Sequence, residues 1–166
     1  MHDVRALQQG RSFSLSSVQS IAGGGSLTFV GIPDGDAVVF ENISVEVDSG
    51  PVLVQLVESP TITVPGTQTF AKNRRRDSTN VHRMKIYGGA TVTGGEVLQS
   101  VELYATSTGV VAVPADGILA GHWILNAAKT YAVRITNNTS PASLINISVD
   151  FTFTEGLVTE IPSLWR

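Results

Sequence analysis

The sequence predicts an all-β protein, a jelly-roll-like antiparallel β-sandwich of about eight or nine strands. Three observations carry that expectation. Two alternating runs, Tyr131, Val133, Ile135 and then Ile145, Ile147, Val149, Phe151, Phe153, place their apolar side chains on one face of an extended chain. The composition is rich in Val, Thr, Ser and Gly, with only 15% charged residues, as expected of short strands joined by tight turns. Turn signals recur at intervals of roughly 8 to 12 residues, the spacing of a sandwich or jelly roll. No fixed repeat points to a propeller or solenoid.

The two alternating runs flank Asn137-Asn138-Thr139-Ser140-Pro141, which is turn chemistry, so they read as a long antiparallel pair at the heart of the sandwich. The remaining elements follow from the amino terminus. Residues 1–11 show little pattern and read either as a loose terminus or as an arm that orders on a partner. The first alternation is Phe13, Leu15. Ala22-Gly23-Gly24-Gly25-Ser26 is a flexible turn; no Gly-Lys-Ser/Thr follows it, and the strand Leu27-Thr28-Phe29-Val30 comes next, which argues against a phosphate loop. Pro33-Asp34-Gly35-Asp36 is a turn lacking the spaced oxygen ligands of a calcium loop. In the strand Val38 to Val47, Ile43, Val45 and Val47 alternate with polar residues.

Val52 to Val57 is apolar on both faces except at Gln55, which suits a central strand covered on both sides. Glu58 to Asn80 breaks the pattern and reads as a long connection, the kind of segment that carries binding on a rigid scaffold. Strand signals resume at Val81 to Tyr87 and Val97 to Tyr104, with a weak run at Val110 to Val113 and a segment Ile118 to Ala127. Three regions result: an arm at 1–11, a sandwich domain at 12–154 and an apolar tail at 155–166. In that tail, burying Leu157, Ile161, Leu164 and Trp165 would contribute about 1.5–3 kcal/mol per large side chain, on this chain's own sheet or on a neighbouring subunit.

At 166 residues the chain is long enough to bury a core without disulfides, and it has no cysteine, which excludes thiol chemistry and Cys-based metal sites. Its formal net charge of -3 gives no broad attraction to nucleic acid or anionic membrane. No run of about 18 apolar residues marks a transmembrane helix. The start, Met1-His2-Asp3-Val4-Arg5, lacks a signal-peptide pattern, so the expectation is a protein made in the cytoplasm that leaves it only on lysis. Four N-x-[ST] triplets, at Asn42, Asn137, Asn138 and Asn146, are frequent by chance in such a composition.

The chain carries no catalytic signature. His2, His82 and His122 share no ligand spacing, and His82, alternating with Met84 and Ile86, reads as structural. No serine sits in Gly-x-Ser-x-Gly, and no carboxylate pair is identifiable. No cofactor is expected, and the chain reads as non-enzymatic. The distinctive chemistry is positive charge: Lys72, Arg74, Arg75, Arg76, Arg83 and Lys85 are six of the eleven Lys and Arg residues in an acidic protein. One reading is a specific contact with carboxylates on a protein surface, since arginine forks pair well with them; the other is a solvated loop with its own acidic neighbours, Asp77 among them. Nucleic acid would want a broader basic face with aromatic platforms.

Asn73-Arg74-Arg75-Arg76-Asp77-Ser78-Thr79-Asn80, Trp123-Ile124-Leu125, Thr130-Tyr131 and Arg134-Ile135-Thr136-Asn137-Asn138, closing on the alternating strand to Phe153, resemble the capsid decoration, or cement, proteins of tailed bacteriophages. The likeness covers about residues 26 to 154, and its triple arginine is denser than the neutral Asn/Arg/Ser loop of that group. The resemblance implies a jelly-roll-like sandwich in which Trp123 to Asn138 forms an inner hairpin strand and its turn, and the Asn-Arg loop is exposed. It implies a virion structural protein on the outer surface of a phage head, bridging major capsid protein subunits; the six basic residues, singled out by their charge, are then the candidate contacts. Self-association into a dimer or trimer is expected from the need to protect sheet edges. The alternative is a carbohydrate- or receptor-binding sandwich module, such as a head fibre or tail-associated part.

Overall fold

The computed structural model describes residues 8–104, 111–112, 123–139 and 144–156. Outside them lie Met1 to Leu7 of the arm, His2 among them, His122, part of the runs at 110–113 and 118–127, the end of the turn at Ser140-Pro141, and the tail candidates Leu157, Ile161, Leu164 and Trp165. Fourteen strands are described: β1 (Ser12–Ile21), β2 (Ser26–Ile32), β3 (Val38–Val47), β4 (Val52–Glu58), β5 (Thr61–Val64), β6 (Thr67–Thr69), β7 (Lys72–Asn73), β8 (Lys85–Gly88), β9 (Thr91–Thr93), β10 (Glu96–Leu103), β11 (Val111–Ala112), β12 (Trp123–Leu125), β13 (Tyr131–Asn137) and β14 (Ile145–Glu155). The number exceeds the expected eight or nine because short strands of two to four residues add to the long ones. Such pieces are too short to show a period in sequence.

All pairings are antiparallel and build a sandwich. The first sheet runs β11-β3-β14-β1-β7, with β12 also on β3; the second runs β10-β4-β13-β2-β8-β6; β5 and β9 form a separate two-stranded flap. The inner faces meet in one apolar core that includes Phe13, Phe29, Ile43, Val54, Ile135 and Phe153. Phe29 of the second sheet meets Phe151 of the first edge-on at 5.0 Å between ring centroids, a geometry favoured by the ring quadrupoles and worth about 0.5–1.5 kcal/mol beyond area burial.

The expected central pair is corrected in one respect. Strands β13 and β14 are both interior, but they lie in different sheets and face each other across the core. β13 pairs with β2 and β4, and β14 with β1 and β3. Alternation fixes which side chains point inward and is silent on the hydrogen-bonded neighbour. Stacked sheets lie roughly 10 Å apart, so the sequence spacing between the two runs suits a crossing as well as a hairpin. Trp123 to Asn138 is likewise not one hairpin strand: β12 sits on β3 in the first sheet, and the chain turns at Asn126, where Lys129 N–H donates to the Asn126 carbonyl at 3.1 Å, before entering β13.

Three other segments differ from expectation. Glu58 to Asn80 is an ordered run containing β5, β6 and β7. The strand expected at Val81 to Tyr87 begins only at Lys85, because the N–H groups of Arg83 and Met84 donate to the buried Glu155 carboxylate at 2.9 and 2.7 Å in place of a neighbouring strand. Strand β4 is covered on its outer side only in part: Leu53 and Gln55 are half-exposed, while Val57 is buried under the Gly95 and Pro60 loops. In β3, the register steps from Asn42↔Thr152 to Phe40↔Phe153, so Glu41 is the extra residue of a bulge. The bulge lets both Phe40 and Ile43 point inward.

Candidate functional site

The basic segment leaves β7 at one edge of the first sheet and folds into a loop closed by its own amides. Asn73 Oδ1 accepts from Arg75 N–H at 2.9 Å, an Asx turn, and Asn73 Nδ2 donates to the Asn80 carbonyl at 3.0 Å. Ser78 N–H donates to the Arg75 carbonyl at 3.1 Å. Once closed, the loop grips the chain entering β1. Asn73 Nδ2 donates to the Gly10 carbonyl at 2.8 Å, Asn80 Nδ2 to the Gln9 carbonyl at 3.2 Å, and an Arg75 guanidinium nitrogen to the Gln8 carbonyl. Gly10 has φ +65°, and a Cβ there would lie 2.3 Å from Ser78 Oγ, so only glycine fits this crossing. Residues 8–11, assigned from sequence to an arm, are thereby fixed to the sandwich.

The six basic residues fall into two groups. Arg74 turns back over β1: its N–H donates to the Ser12 carbonyl at 3.0 Å, and its guanidinium reaches Ser12 Oγ at 3.2 Å and Glu41 at 3.9 Å. Arg75 forks onto Asp77 at 2.8 and 3.1 Å, which pushes the guanidinium pKa up and holds the Asp77 carboxyl below the usual carboxylate range. Arg83 pairs with Asp36 at 2.9 Å, so the Pro33-Asp34-Gly35-Asp36 turn serves as its anchor. Lys72, Arg76 and Lys85 are exposed, with no carboxylate at ion-pair distance among the described residues. Acidic partners therefore engage half of the cluster, one of them the local Asp77 and two, Glu41 and Asp36, brought in from elsewhere in the chain.

Sequence reading passed over the apolar residues in this region. Ala71 N–H donates to His82 Nε2 at 3.0 Å, which lays residues 70–72 beside 81–83 and leaves Phe70 and Val81 exposed at 62% and 71%. Both are large apolar side chains in Thr/Asn/Arg-rich sequence, and that mismatch was the available signal. His82 itself is structural. With Nε2 accepting, the proton resides on Nδ1, which donates to the Met84 carbonyl at 2.7 Å, and the ring packs edge-on against Phe13 and Phe153.

Beside this region a cleft of about 640 Å³ is lined by Arg11, Phe13, Asp36, Arg83 and Glu155, among others. Its ionisable groups hold the fold: Arg11 donates to the Gly156 carbonyl, Arg83 is paired, and Glu155 is filled by backbone N–H groups. At the end of β4 in the second sheet, Lys129 and Tyr131 both donate to Glu58, the tyrosine at 2.9 Å. These bonds hold the Glu58 carboxyl below its ordinary range, while burial pushes the Tyr131 phenol up. That cluster ties the 126–130 turn to β4. Among the described residues no group of three or more His, Asp or Glu side chains is placed to hold a metal ion. No protein-family model and no curated protein matches the chain.

Proposed function

We propose that this protein is a non-enzymatic virion component that binds the outer surface of a phage head and stabilises it by bridging major capsid protein subunits. The observation that carries the reading is the exposed mixed surface at one edge of the sandwich. Phe70 and Val81 supply an apolar contact on rigidly held chain, and Lys72, Arg76 and Lys85 supply charge that no carboxylate among the described residues consumes. An apolar anchor within a charged rim is how protein interfaces concentrate affinity and register. The sequence resemblance to decoration proteins adds to this. Repetition across many subunit seams turns modest contacts into firm attachment and stabilises the shell by mass action.

The test is co-sedimentation of the purified protein with emptied, expanded phage heads, together with the temperature at which the heads rupture. Occupancy and a raised rupture temperature are expected. Reversing Lys72, Arg76 and Lys85 together to glutamate should raise the dissociation constant for the heads at least tenfold at physiological salt, equivalent to about 1.4 kcal/mol, and lower occupancy accordingly. Occupancy indifferent to those charges and to salt rejects the surface.

A second reading, a carbohydrate- or receptor-binding module, draws on a groove of about 440 Å³ on the outer side of the second sheet, beneath the β5–β9 flap. Hydroxyls of Ser26, Thr28, Thr91 and Thr136 line it beside Arg134, whose guanidinium is held by Gln55 at 2.8 and 3.2 Å. A glycan array discriminates the two readings.

A further inference from the structure

We propose that a second copy of this chain adds to the edge of β1 that no described strand covers beyond Ser14, across a two-fold axis, pairing Val18 with Val18 and Ser16 with Ser20, so that the first sheets of two molecules become one. The inference does not rest on the capsid reading.

The direction of the backbone groups identifies the edge. Arg74 N–H donates to the Ser12 carbonyl, so Ser12 directs its polar groups away from β14 and toward β7. In an antiparallel ladder, residues alternate in the side to which they present N–H and C=O, so Ser14, Ser16, Val18 and Ser20 present theirs to that same edge. β7 covers it only at Phe13 and Ser14. Beyond that point Ser16, Val18 and Ser20 have no strand neighbour on this side among the described residues, although the other side of β1 is paired with β14 along its whole length. Val18 is 76% exposed, the most exposed of the large apolar residues described.

Sheet edges are normally blunted by charge, bulges or shortness. The outermost strands elsewhere on the two large sheets carry such a device. β10 has Glu96, Glu102 and a register shift between Val97 and Gln99, while β6, β7, β11 and β12 are two or three residues long. The open part of β1 has none: no charged residue occurs from Ser12 to Pro33, there is no proline before Pro33, and the register with β14 is unbroken. The uncharged, self-matching pattern of Ser16, Val18 and Ser20 suits a second copy as the occupant. A copy of β1 meets β1 without a like charge facing a like charge, whereas β10 against itself would oppose glutamates. The two-fold places the exposed valines beside each other on the outer face and serines on either flank.

A strand pair of this length buries less than a standard protein interface, so a dissociation constant in the roughly micromolar range is expected. Sedimentation velocity on the full chain should show a monomer–dimer equilibrium that is mostly dimer at about 100 µM. Val18→Lys should shift it to monomer with an unchanged melting temperature, since the side chain points to solvent. Cysteine variants read the register directly in a chain that has no cysteine of its own. Opposed Cα atoms of a hydrogen-bonded pair lie about 5.5 Å apart, within disulfide range. Val18→Cys should therefore form a covalent dimer on mild oxidation, Ser20→Cys alone should not, and an equimolar mixture of Ser16→Cys and Ser20→Cys should. A chain that stays monomeric at about 100 µM, far above a micromolar constant, overturns the proposal. So do a dimer indifferent to Val18→Lys, a trimer, or equal cross-linking by Ser20→Cys alone.

Discussion

Glu155 shows how a single carboxylate replaces a stretch of sheet. It is 7% exposed and fills itself with the N–H groups of Arg83 and Met84, joining the end of β14 to the chain that leads into β8. Glu155→Ala leaves both donors without that acceptor, and a loss of about 1–3 kcal/mol is expected in chemical denaturation. Glu58 gives a pH signature. Its carboxyl is held low in the folded state, first by the Lys129 bond and then by Tyr131, so its contribution is complete above the unfolded value of about 4.3. That contribution is lost as pH falls through the folded value. The melting temperature of the native protein should exceed that of Glu58→Gln at neutral pH, and the two should converge as pH falls from about 4.3 through the lower folded value. A constant difference across that range would remove Glu58 from the account.

Among the elements, the clasp and the closing strand pair have separable roles. Asn80 holds Gln9 and Gly10 through one amide, so Asn80→Ala should raise hydrogen exchange and proteolytic cutting at residues 8–10 while leaving the interior of β1 protected. Strands β1 and β14 join the two ends of the domain in register from Ser12↔Thr154 to Ile21↔Ile145. Ser16 and Asp150 are directly opposed there, and their side chains hydrogen-bond. Replacing both by cysteine should form a disulfide that closes nearly the whole domain. In the chain-entropy model a loop of about 100 residues gains up to roughly 4.7 kcal/mol, so a clear rise in melting temperature is expected under oxidising conditions and none under reducing ones.

At the scale of the whole molecule, no two described strands consecutive in the chain pair with each other. β1 lies in the first sheet and β2 in the second, β3 in the first and β4 in the second, β13 in the second and β14 in the first. Every ladder is therefore non-local, and loop closure must be met before any pairing repays it. Refolding in milliseconds to seconds is expected from stopped-flow fluorescence, and microsecond folding would contradict the topology. The same arrangement leaves no room for a folded fragment. Deletion of Ile145 to Arg166 removes the middle strand of the first sheet and should yield an unfolded chain by circular dichroism.

The alternation of Ile145, Ile147, Val149, Phe151 and Phe153 settled that these residues are inward-facing strand positions, and His82, alternating with Met84 and Ile86, was legible as structural. The concentration of positive charge at Lys72 to Lys85 was legible too. Which of those charges remain free was not, because Asp36 and Glu41 reach Arg83 and Arg74 from distant parts of the chain. Phe70 and Val81 were missed because exposure is a property of the neighbours that a side chain finds. Periodicity of two belongs to a single strand and is readable along it, whereas the choice of hydrogen-bonded partner belongs to pairs of strands. That choice sent β13 and β14 to opposite sheets and left one edge of β1 without a strand neighbour beyond Ser14 among the described residues, and the tertiary structure made it by burying both inner faces against each other.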